Sequence, residues 1–126
     1  MGFFIVFLGG GLGAALRHGV NAASVHLFGI KYPVGTFLIN LSGSLLIGVV
    51  AELFTLKSSL PPTLRLFLIT GILGGFTTFS AFSLEIGLLY ERGALAAALI
   101  YALASVAGGV AAMFAGMYLV RHIIAV

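Results

Sequence analysis

The sequence contains no cysteine, no tryptophan and no aspartate, and its charge is limited to six Lys or Arg and three Glu among 126 residues. Without cysteine there is no disulfide, no thiolate metal site and no thiol nucleophile. Without aspartate no Ser–His–Asp set can be assembled, and His18, His26 and His122 lack metal-ligand spacing. An enzyme is not expected. Without tryptophan, any aromatic belt at a membrane surface must be built from Tyr and Phe. The scarcity of charge is the most restrictive absence, because a soluble domain of this length has too much surface to go without a polar shell. The net charge of +3 comes from scattered residues, whereas a nucleic-acid surface needs clustered Lys and Arg.

What the chain has instead is apolar residues, 61% of the total. A membrane-spanning helix needs about 20 mostly apolar residues, and four such runs are present. They extend over Phe3–Phe28, Val34–Leu56, Thr63–Tyr90 and Ala94–Ile124. The first run lacks a basic leader and is too long for a signal-peptide core, so it is read as a span. Pro33 and Pro61-Pro62 suit helix starts, and Glu91-Arg92-Gly93 makes the last turn. With turns this short, residues 1–126 are expected to form one all-α integral membrane domain of four transmembrane helices.

Small residues recur at i, i+4, as Ala104, Gly108, Ala112 and Gly116 in the fourth span and Gly9 with Gly13 in the first. In lipid such stripes bring helices into close contact. Gly9 to Ala14 also matches a dinucleotide fingerprint, but no strand precedes it, so the match is empty. If the spans alternate sides, Lys57, Arg65 and Arg121 fall on one side and Arg17, Lys31 and Arg92 on the other. That is three against three, which gives the positive-inside rule no preference. Charge alone leaves two readings open: a chain oriented by other features, or one that inserts both ways and pairs with its inverted copy.

Polar groups inside spans are costly and usually face a partner or a pathway. Thr36, Asn40 and Ser44 lie along one side of the second helix. In the third span Gly71, Gly74 and Gly75 precede FTTFSAFS. Glycines here are expected to weaken the helix, and a helix interrupted in the membrane exposes carbonyls to a cation and N–H groups to an anion. Phe79 and Phe82 share a face, as do Ser80 and Ser83. The electropositive ring edges can contact an anion without a fixed charge. Glu85 and Arg17 are the ionisable groups within spans. Glu85 is expected to pair with Tyr101 or Ser105, and Arg17 either snorkels or enriches anions at a pore mouth. Glu52 is expected to be interfacial.

These segments resemble the Fluc (CrcB) family of microbial fluoride channels. The likeness is carried by GGGLGAALR (Gly9–Arg17), GTFLINLSG (Gly35–Gly43) and GILGGFTTFSAFSLE (Gly71–Glu85), with a looser match through Tyr101, Ser105 and Gly108. It implies a multi-pass protein of the bacterial plasma or inner membrane that forms an antiparallel, dual-topology homodimer and exports fluoride passively. It implies a third helix broken near the midplane and a structural sodium ion at the dimer centre, held by backbone carbonyls of Gly74 and Thr77. Fluoride-lining roles would fall on Asn40, Phe79 and Phe82, with Thr36 and Ser80 nearby. Arg17, Ser83, Glu85, Tyr101 and Ser105 would belong to a vestibule or polar track. Ala81 and Gly109 stand where the family usually has hydroxyl side chains. The competing class is a four-helix, proton-coupled multidrug exporter, but that needs a carboxylate in the first span, which has none.

Overall fold

A computed structural model describes residues 1–124, so the last two residues of the expected 1–126 domain lie outside the described residues. The described chain is all helical. Helix α1 spans Gly2–Phe28 and α2 spans Val34–Leu56. The third span is built in pieces: α3 (Pro62–Arg65), a π-helix (Leu66–Leu73), α4 (Gly74–Phe76) and α5 (Ser80–Glu91). Helix α6 spans Leu95–Ile124. Four helical stretches are thus long and apolar enough to cross a membrane: Gly2–Phe28, Val34–Leu56, Pro62–Glu91 and Leu95–Ile124. The ends differ from the sequence expectation by one residue at most, because they are set by local chemistry. Pro62 occupies the first helical turn, where its missing N–H is not needed. Gly29 and Gly93 turn the chain with φ of 78° and 83°, a region that side chains disfavour.

Large apolar side chains such as Phe3, Phe7, Leu103 and Ile123 point outward, as lipid solvation allows. The interior is made by backbone approach. A Cβ on Gly13 would run into the Ile72 carbonyl and the Phe76 amide, so α1 can lie directly against the π-helix only where this side chain is missing. Helices α2 and α6 meet in the same way through Gly48 and Gly116. A smaller side-chain core surrounds Phe82, Leu89, Ala98 and Tyr101.

Two polar contacts close the bundle at its ends. Arg92 donates to the Lys31 carbonyl, and the cations of Lys31 and Arg92 both lie 5.5 Å from the Tyr32 ring centroid. The first and third loops therefore meet. Elsewhere Arg121 of α6 grips Glu52 of α2 with two hydrogen bonds, Nε to Oε1 at 2.9 Å and Nη2 to Oε2 at 3.3 Å. Glu52 is only 4% exposed, so near the end of its span it is covered by protein. A carboxylate can be buried here because an arginine fork reaches it from the neighbouring helix.

Arg17, half-buried on the single chain, donates its Nε to the Gly75 carbonyl at 3.1 Å. Counted apart from the loop charges for that reason, it leaves Lys57, Arg65 and Arg121 against Lys31 and Arg92, three against two.

Candidate functional site

The interruption of the third span organises the site. Helical structure stops at Phe76 and resumes at Ser80, leaving Thr77, Thr78 and Phe79 outside it. The glycines expected to weaken the helix are themselves helical. Their missing side chains serve packing instead: a Cβ at Gly71 would meet Gly9, and one at Gly75 would meet the Gly10 carbonyl. The polar residues after them carry the interruption.

Each freed backbone group near the gap must find a partner, since lipid offers none. Asn40 supplies two of these partnerships at Thr78. Its Nδ2 donates to the Thr78 carbonyl at 3.0 Å, and its Oδ1 accepts from the Thr78 amide at 2.9 Å. The Thr78 hydroxyl accepts from the Ala81 amide at 3.1 Å, so it caps the start of α5. Thr77 donates both its amide and its hydroxyl to the Leu73 carbonyl, each at 3.0 Å. Arg17 takes the Gly75 carbonyl. Among the described residues, the carbonyls of Gly74 and Thr77 accept no hydrogen bond outside the regular helices. Free carbonyl oxygens are hard donors of the kind sodium takes; Thr77 opens the gap and Gly74 begins the short helix before it.

Two cavities adjoin this region. The first, about 330 Å³, is lined by Asn40, Ser44, Thr77, Phe79, Phe82 and Ser105, among others. Phe79 is 78% exposed on the single chain, whereas Phe82 is 8% exposed. Their ring centroids are 5.7 Å apart, and the Phe82 ring meets that of Tyr101 at 5.1 Å, inclined by 60°. The second cavity, about 640 Å³, reaches from Lys31, Tyr32 and Arg92 at the loops to Thr36, Ala81 and Glu85 within the bundle. The second-helix ladder is thus divided: Asn40 and Ser44 face the first cavity, and Thr36 faces the second. Phe82 lines the first cavity, and its sequence neighbour Ala81 lines the second. Gly109 lies opposite Ser44, where an added Cβ would be 3.4 Å from the Ser44 hydroxyl.

Ser80 and Ser83 are exposed on the single chain and line neither cavity. The Ser80 hydroxyl instead lies 3.3 Å from that of Thr78. Of the two expected partners of Glu85, the Tyr101 hydroxyl approaches its carboxyl, as does that of Thr36. Glu85 Oε1, the Tyr101 hydroxyl and the Ser105 hydroxyl are all buried without a hydrogen bond of ordinary geometry among the described residues. Three such atoms close to two cavities suit a transient polar visitor. Sequence reasoning missed the Asn40–Thr78 clasp and the Arg17–Gly75 bond. Both are contacts of a side chain to distant backbone, and no spacing rule reports them.

Residues 4–117 match the family model described as CrcB-like protein, Camphor Resistance (CrcB). A protein of Nitrobacter hamburgensis named fluoride-specific ion channel FluC 2 is 51% identical, with 98% of this chain and 99% of the relative covered. Fluoride-specific ion channel FluC of Rhodopseudomonas palustris is 54% identical over the same shares, and that of a Methylobacterium species 55% over 94% of both.

Proposed function

Because this chain belongs to the CrcB family, we propose that it is a fluoride channel of the bacterial plasma membrane, passing the anion down its gradient. The observation that carries this reading is the first cavity, where Asn40, the hydroxyls of Ser44 and Ser105 and the Phe79 and Phe82 rings converge beside the helix interruption. Fluoride is small and strongly hydrated, so a pathway must replace water with donors. Hydroxyls and an amide do that as neutral groups, and ring edges add weak positive potential. None of them fixes a full positive charge in the path, which favours release as well as entry. Asn40 has one Nδ2 hydrogen engaged by Thr78 and one left for an ion. Beyond Phe82, Thr36 and Glu85 continue the polar lining.

The functional unit is a homodimer of antiparallel copies, its third helices broken near the bilayer midplane. This is supported by the small difference in loop charge and by the 78% exposure of Phe79, a pathway residue left uncovered on one chain. A sodium ion at the dimer centre is supported by the unbonded carbonyls of Gly74 and Thr77, which would hold it. When bound, it supplies fixed positive charge that joins the interrupted helices. The test is efflux from liposomes followed with a fluoride electrode. Fluoride is expected to leave without a proton gradient, while gradient-driven uptake of an organic cation is not. Verified dimers that release no fluoride would overturn the reading.

A further inference from the structure

The second cavity has a charged mouth that the pathway described above does not use. Lys31, Tyr32 and Arg92 form its rim, with both cations 5.5 Å from the shared Tyr32 ring. The Arg92 bond to the Lys31 carbonyl joins two loops, and both positive charges lie around the one Tyr32 ring. The cavity floor holds Thr36 and Glu85. The lining carries two cations against one carboxylate, so its net charge is positive even with Glu85 ionised. Glu91, next to Arg92 in sequence, is not part of the lining. An anion arriving from this end meets the cations first.

We infer that the Lys31–Tyr32–Arg92 rim is a capture site for small anions, which sets how fast fluoride enters at the loop end of the pathway. The inference rests on the channel reading, in which Thr36 and Glu85 of this cavity belong to the fluoride pathway. A concave mouth of one sign, with low-dielectric walls, raises local counter-ion concentration and on-rate, and salt weakens the effect. Removing one cation is expected to slow entry about three-fold, and removing both about ten-fold, at low ionic strength. Near 1 M salt, where the screening length is about 3 Å, the difference should vanish. A purely structural role for Arg92 would show no such salt dependence.

The absence of native cysteine permits a charge test on one protein sample. Lys31→Cys is reconstituted in phosphatidylcholine liposomes, whose zwitterionic headgroups contribute no net surface charge. Fluoride efflux is then measured before and after labelling with a cationic or an anionic methanethiosulfonate. The cationic adduct should return flux toward wild type and the anionic adduct should lower it further, both effects fading in high salt. Equal flux for the two adducts, with wild-type protein conducting, overturns the capture site and leaves the channel reading intact. Wild-type protein that passes no fluoride overturns both.

Discussion

Asn40 illustrates how one side chain can serve both the backbone and the ion. Its amide closes the gap in the third span through Thr78 while facing the first cavity. Aspartate at this position retains an acceptor for the Thr78 amide but sets an oxygen against the Thr78 carbonyl. Leaving that carbonyl unpaired costs about 1–3 kcal/mol, or about 5–150-fold if it falls entirely on the transport barrier. Asn40→Asp should therefore reduce fluoride efflux by about that factor while the protein still elutes as a single species, and near-normal flux would remove Asn40 from the pathway. The two phenylalanines should separate by burial. Phe82→Ile reshapes a packed core and is expected to cost about 1–3 kcal/mol of stability as well as most of the flux. Phe79→Ile, on an exposed ring, should spare the melting temperature of the single chain and still cut flux. Thermal melting beside electrode-measured efflux checks both, and unchanged flux in both variants would return the rings to packing alone. The candidate side chains of the first cavity were largely legible, because polar groups in an apolar run are conspicuous. Their partners were not, since Thr78 lies 38 residues from Asn40.

At the scale of elements, the four spans could be read from run length, and their ends from Pro and Gly. The interior of the third span could not. Its glycines signal weakness in sequence, yet in the bundle they form a flat surface for α1, and the interruption falls on Thr77–Phe79 instead. Residue propensity describes an isolated helix, whereas here a neighbouring backbone decides. Two glycines of α1 separate these effects. Gly11 has open space where a Cβ would go, and Gly13 has the Ile72 carbonyl. Gly11→Ala should leave thermal stability unchanged or raise it by up to about 1 kcal/mol, the helix propensity gain. Gly13→Ala should lower it clearly. Equal melting temperatures would mean that α1 does not depend on backbone contact.

For the molecule as a whole, orientation turns on very few charges. With Arg17 held at Gly75, the loops and ends differ by one cation, a margin that two added lysines exceed. A variant with two Lys at one terminus should adopt one orientation and lose fluoride efflux when expressed alone. Activity should return on co-expression with a variant biased the other way. Wild-type chains labelled at a terminal tag from one side only would count against dual insertion. The sodium proposal is tested at the same scale. Replacing sodium on both sides with a large organic cation should stop efflux or dissociate the dimer, and full flux after verified sodium removal would argue that Gly74 and Thr77 hold no ion. Neither the inverted copy nor the ion is written in residue spacing, because both depend on contacts between chains.

The Glu52–Arg121 pair also places a constraint on how the chain is made. The two residues are 69 positions apart, and a ribosome adding about 5–20 residues per second delivers the second roughly 3–14 s after the first. During that interval α2 is already synthesised, with a carboxylate whose partner does not yet exist. Pairing of α2 with α6 through this contact therefore has to follow synthesis of every helix between them, which makes it a late step in the assembly of the bundle.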